Sequence, residues 1–272
     1  MCTLAIMKII YVFILFLVVA ACNRGPYSNT NKQYKKQAKE FAKIIEQAPL
    51  IDSLKNIGDW VGTTNFNLRK PNFVIIHHTA QNSCAQTYKT FTTTSAEVSA
   101  HYVICRDGTI THMLNDYLRA WHAGAGKWGN LSDINSSSIG IELDNNGSEP
   151  FSEAQINSLL LLLDNLKRAY NIPVTNFIGH ADIAPTRKVD PSRFFPWKQL
   201  ADKGFGSWYG DTTFININTG FNNVDALRII GYDIRDTVAA IRSFRLHYMQ
   251  DSSTVIDESA KKILFSLYSK LR

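Results

Sequence analysis

The chain has 272 residues, of which 45% are hydrophobic and 19% charged, with a formal net charge of +6. This composition excludes a disordered or fibrous chain and fits one large domain, or a main domain with a small companion. There is no arginine-rich run and no nucleic-acid motif, which excludes nucleic acid as a partner and leaves the basic excess to solubility or to an anionic lipid surface or wall polymer.

From Met7, the stretch MKIIYVFILFLVVAAC places Lys8 before an apolar run that ends at Ala21. The run is short for a membrane span and closes in small residues, so residues 1–22 read as a secretory signal, with an uncleaved anchor as the alternative. Its end, VVAAC, resembles a bacterial lipobox, which implies a lipid-modified Cys22 as the mature N-terminus and firm attachment to a membrane. The start lies at Met1 or Met7, since MCTLAI adds nothing recognisable. Asn23 does not read as a retention signal, which favours the outer membrane over the inner. Residues 23–60 read as a polar tether followed by an amphipathic helix over about 31–47, apolar at Ala38, Phe41, Ile44 and Ile45 and stopped by Pro49.

The body alternates strands and helices. NFVIIHHTA (72–80) predicts a buried strand and SCAQTYKTFTT a helix. AHYVICRDGTITHML predicts two strands about a turn at Arg106–Gly108, and SSSIGIELDNN (136–146) another strand. A long helix capped by Ser152 follows, then a strand over 175–180. This alternation implies an α/β protein with a mixed central sheet flanked by helices. Residues 207–221 read as a linker. From Asn222 to Arg272 come three helical patterns, with Asp236 and Asp257 as caps and Gly231 ending the first. Fifty residues are few for independent stability, so these helices are expected to dock on the main domain. Four cysteines include Cys2 and Cys22 in the leader; Cys84 and Cys105 remain, either as a disulfide or as two buried thiols.

Three predicted strands end in ionisable groups: His77–His78, Glu142–Asp144 and His180. Strand ends of open α/β sheets gather sites. Two imidazoles and a carboxylate suit catalytic zinc, with the fourth position left for water. A nearby Glu would serve as base and a Lys as oxyanion partner. HExxH and paired CxxC patterns are both absent.

The ordered set VIIHHTA, SAHYVI, RAWHAG, SSIGIELDN, GHADIAPTRKVDPS and FPWKQLA, over roughly residues 70–206, resembles the zinc-dependent N-acetylmuramoyl-L-alanine amidases of the AmpD/AmiD type. LRIIGYDI and AIRSFRLHYM resemble, more loosely, the small peptidoglycan-binding helical domain that follows the catalytic domain in AmiD-type lipoproteins. The resemblance implies a catalytic domain over 61–206 and a helical domain over 222–272. It implies one Zn²⁺ per chain, held by His77, His180 and Asp190, with Glu142 and Lys188 catalytic. AmiD-like sequences commonly carry Tyr where this chain has His78, and a strand points successive side chains to opposite faces, so only one of His77 and His78 can enter the site.

Trp121 and His122 are expected either to line the substrate surface or to pack internally. Arg187 is expected to meet a substrate carboxylate or solvent, and His101 to be structural. Asp182 would orient its own loop or a ligand histidine, and Asp144 and Asn145 would close the turn after Glu142. The implied reaction is hydrolysis of the amide between N-acetylmuramic acid and L-alanine in peptidoglycan or muropeptides. The competing reading is a non-catalytic peptidoglycan-binding protein on the same fold. The expected setting is a monomer in the bacterial cell envelope, an outer-membrane lipoprotein facing the periplasm.

Overall fold

Apolar runs at 73–78 and 138–143 become the parallel centre of a five-stranded sheet. The structure, a computed structural model, describes residues 25–46 and 63–271. Residues 1–22, read from the sequence as a signal, and with them Cys22, lie outside the described residues. Two units emerge, residues 1–66 and 67–272. In the first, helix α1 (Ser28–Glu46) starts three residues before the expected 31, and Phe41, Ile44 and Ile45 of its apolar face are exposed.

In the second unit the strands are β1 (Phe73–His78), β2 (Tyr102–Ile104), β3 (Ile110–His112), β4 (Ser138–Leu143) and β5 (Phe177–Gly179), in the order β3-β2-β4-β1-β5. β1 pairs in parallel with β4 and β5, β2 in parallel with β4, and only β3 runs antiparallel, at the edge. Parallel strands covered on both faces read as continuous apolar runs, which is why VII and SIGI lack alternation. Helix α2 (Cys84–Thr92) is joined to the residue after β2 by the Cys84–Cys105 disulfide, with a Cα–Cα distance of 5.6 Å.

One face of the sheet, with Val74, Ile76, Ile139, Ile141 and Leu143, packs on Leu159, Leu163 and Leu166 of α3 (Glu153–Tyr170). Ser152 caps that helix by accepting from Gln155 N–H at 3.1 Å. The opposite face carries Ile75, Ile178, Ala123, Ile134 and Ile183. Strand alternation puts His77 and Glu142 on this second face.

The expected strand over 175–180 differs in detail. A 3-10 turn covers Val174–Asn176, the strand is confined to Phe177–Gly179, and His180 opens a one-turn helix, α4 (His180–Ile183). The cause is local: the Asp182 carboxylate accepts from Gly179 N–H at 2.8 Å, which starts the turn one residue early. After α5 (Trp197–Asp202) the segment 207–221 has no helix or strand, yet its start is tied down. Lys270 Nζ donates to Trp208 O and Gly210 N–H to Ser266 Oγ.

Helices α6 (Asn223–Ile230), α7 (Thr237–Met249) and α8 (Glu258–Ser269) start at Asn222, Asp236 and Asp257, each accepting from first-turn amides. They share a core of Leu227, Phe244, Tyr248, Ile263, Leu264 and Leu267, and belong to the same unit as the sheet. Gly231 ends α6 with φ +137°, and a Cβ there would come within 2.4 Å of the Trp128 ring. Its missing side chain lets the helices approach the sheet-domain loop.

Because the disulfide closes a 21-residue separation, replacing Cys84 and Cys105 together by Ser is expected to cost about 2–4 kcal/mol, read as a lower urea midpoint, with a steeper slope as the unfolded chain expands.

Candidate metal centre and active site

Sheet register creates the site. His77 stands opposite Glu142 across the parallel β1–β4 ladder, and Ile76 stands opposite Gly179 on the other side. His180, next along, therefore arrives level with His77. Asp190 returns to the same place because its carbonyl accepts from Ala181 N–H at 2.7 Å.

Three side-chain atoms converge. His77 Nδ1 lies 2.9 Å from His180 Nδ1, and Asp190 Oδ2 lies 3.2 and 3.1 Å from the two nitrogens. All three residues are buried. His78 turns to the other face, where its Nδ1 accepts from Ser192 N–H at 3.1 Å. The geometry thus separates the two adjacent histidines in favour of His77.

Hydrogen bonding fixes the tautomers. His180 Nε2 faces the Ala123 carbonyl at 3.2 Å and must carry the proton, since a carbonyl only accepts. Ser138 Oγ donates to Ile134 O at 2.6 Å and therefore accepts from His122 Nε2–H at 3.2 Å. His122 Nδ1 is then a lone pair and accepts from His77 Nε2–H at 3.1 Å. Burial first, then the neighbouring His180, lowers the His77 pKa to about 4, and burial with three neighbouring histidines holds His122 well below its ordinary value. Both rings are neutral at pH 7.

The consequence is a cluster of acceptors. The Nδ1 atoms of two imidazoles and a carboxylate oxygen face one another. A tetrahedral zinc site with ligands at about 2.0–2.1 Å separates neighbouring ligand atoms by about 3.3–3.4 Å, close to the 2.9–3.2 Å spacings here. His77, His180 and Asp190 are the one such group of metal-capable side chains among the described residues. The donor set fits a small divalent cation.

Glu142 stands beside it, with Oε1 4.0 Å from His77 Nδ1 and Oε2 buried with no hydrogen-bond partner. Burial first, then the Asp190 charge, raises its pKa to about 8, against the opposing pull of Lys188. Lys188 is half-buried, and its charge acts on His77 and His78 as well.

The outer residues sort differently. His122 is a correction: it does not line a substrate surface but lies buried behind His77. It fits there because a Cβ at Gly140 would meet its ring at 2.4 Å. Trp121, by contrast, is 53% exposed. Arg187 is exposed, but its Nη2 donates to Ala125 O at 3.0 Å, so it braces the 123–125 loop. His101 is structural, accepting from Gly140 N–H and donating to Leu118 O. Asn145 closes its turn on Gly147, Glu149 and Pro150, and Asp144 pairs with Arg106.

His122 and Ser138 as the backing of His77 were not foreseen. A histidine directly after an exposed tryptophan was the available signal, but its partner lies 45 residues away. Replacing His122 by Ala strands the His77 Nε2–H, and Zn²⁺ affinity in chelator competition is expected to fall about 10–100-fold.

Comparison with known proteins agrees with the geometry. Residues 67–193 match the N-acetylmuramoyl-L-alanine amidase family. The chain is 32% identical over 207 residues to N-acetylmuramoyl-L-alanine amidase AmiD of Escherichia coli K12, covering 64% of this chain and 74% of that one. A solved complex of E. coli AmiD with anhydro-N-acetylmuramic acid-L-Ala-D-gamma-Glu-L-Lys superposes with a TM-score of 0.68 at 28% identity, over 77% of this chain and 93% of that one. AmpDh3 of Pseudomonas aeruginosa, in complex with anhydromuramic pentapeptide, gives a TM-score of 0.67 at 27% identity, over 80% and 98%. On this likeness of sequence and fold, the chain belongs to the N-acetylmuramoyl-L-alanine amidases of the AmpD/AmiD type.

Proposed function

We propose that this chain is a zinc amidase that hydrolyses the bond between N-acetylmuramic acid and L-alanine in peptidoglycan or its muropeptides, in cell-wall turnover. The observation that carries the reading is the meeting of three metal-ligating atoms at the strand ends, with the Glu142 carboxyl 4.0 Å away. His77, His180 and Asp190 would hold the ion. Bound there, Zn²⁺ supplies Lewis acidity, which makes water acidic near neutral pH and polarises an amide carbonyl.

The remaining work belongs to the chain. Glu142, ionised when a cation's charge beside it offsets the effect of burial, takes a proton from the attacking water and delivers it to the departing L-alanine nitrogen. Lys188 places a positive charge where the carbonyl oxygen turns negative. Breaking the C–N bond leaves a lactyl carboxylate on the sugar and a free amine on the peptide. Trp121 offers an open aromatic face to the sugar or the peptide. A non-catalytic wall-binding protein would have no use for Glu142 beside an intact ligand set, which favours the enzyme.

The wall is also where the rest of the sequence would take it. A lipid on Cys22 would tether a monomer to the outer membrane, facing the periplasm. The Cys84–Cys105 disulfide suits that oxidising compartment.

Two outcomes follow. Glu142→Gln is expected to keep Zn²⁺ and lose about 10²–10⁴ in kcat, read by mass spectrometry of products from murein and from anhydro-muropeptides, with and without chelator. A near wild-type rate would remove Glu142 from the mechanism. Metabolic labelling with a tagged fatty acid is expected to mark the wild-type chain and not Cys22→Ala; a wild-type chain without label would refute the lipid anchor.

A further inference from the structure

The turn that carries His180 is held from behind by the C-terminal helices. Asp182, 2% exposed, uses both carboxylate oxygens. Oδ2 accepts from Gly179 N–H at 2.8 Å and His247 Nδ1 at 2.7 Å. Oδ1 accepts from Tyr232 OH at 2.8 Å and Ser243 Oγ at 3.4 Å. A carboxylate has about four acceptor sites, and all four are filled here. Three of the donors come from α7 and the residue after Gly231. His247 is itself held, stacked on Trp197 with centroids 3.9 Å apart and planes 12° from parallel.

Further grips come from the same helix and its end. Arg242 Nη2 donates to Pro185 O at 2.9 Å, and Gln250 Nε2 to Phe195 O at 3.2 Å. Residues 182 and 195 bracket the segment that bears Lys188 and Asp190, with 185 inside it, and Asp182 lies in the same turn as His180. The Ala181 N–H to Asp190 O bond passes the constraint to the third ligand.

We infer that Asp182 is a positioning residue for the metal ligands, and that Tyr232, Ser243 and His247 make the C-terminal helices a working part of the metal centre. This rests on the metal reading above. A buried carboxylate is tolerated only while its donors are in place, and removing one leaves it under-satisfied within the turn it caps. The turn then relaxes, and with it the ligand nitrogen of His180, where placement within about 0.5 Å governs a site.

The test uses the full chain loaded with Co²⁺ or Zn²⁺. His247→Leu and Tyr232→Phe are compared with Leu264→Ala, which opens the helical core away from Asp182. His247→Leu is expected to alter the visible Co²⁺ absorption bands and to weaken Zn²⁺ about tenfold in chelator competition, with Tyr232→Phe changing both less. His247→Asn, whose amide nitrogen takes the place of Nδ1, is expected to restore both. Leu264→Ala is expected to lower the unfolding midpoint and leave the bands unchanged. Unchanged bands and affinity in folded His247→Leu would overturn the inference, as would an equal shift in Leu264→Ala. A wild-type chain that binds neither ion would instead bring down the metal reading, and this inference with it.

Discussion

Two imidazole Nδ1 atoms that face each other across 2.9 Å, with a carboxylate oxygen beside them, crowd three electron-rich ligand atoms together. Everything around the site sustains that arrangement. Ala123 O takes one ring's proton, and the His122–Ser138–Ile134 chain takes the other's. Burial holds the His77 and His122 pKa values below their ordinary range. A cation turns this crowding into attraction, and the fold spends three elements and two backing hydrogen-bond chains on holding the set ready for it.

The parts of this design that follow a local rule were legible in the sequence. Continuous apolar runs marked β1 and β4, Ser152, Asp236 and Asp257 marked helix starts, and Gly231 marked an end. His77, His180 and Asp190 were reached through an ordered set of motifs, and strand alternation explains why His77 faces the site while His78 meets Ser192. What escaped was non-local. For His122 the sequence leaves a substrate surface and internal packing both open; its partner His77 is set by how the 121–123 loop folds over Gly140, which no spacing reveals. For Arg187 the sequence offers a substrate carboxylate or solvent, and backbone carbonyls of a distant loop take its Nη2 instead.

The strand before His180 shows a local rule acting at short range. NFIGH carries its strand propensity at Phe177 and Ile178, and Asp182 captures Gly179 N–H and bends the chain into a turn one residue before the histidine. That carboxylate then serves two sides, capping the turn within the sheet domain and receiving Tyr232 and His247 from the helices. A single buried acid thereby joins two hydrophobic cores that otherwise meet around Trp128.

The His77–Glu142 pairing has a wider consequence. The two residues sit opposite each other on adjacent hydrogen-bonded strands, so the spacing between ion holder and base is dictated by the pitch of a ladder, about 4.8 Å. Loops such as the one bearing Trp121 hang outside that ladder. Selectivity for one sugar or stem peptide over another is therefore free to drift by loop exchange, while the distance on which bond cleavage depends stays locked in main-chain geometry.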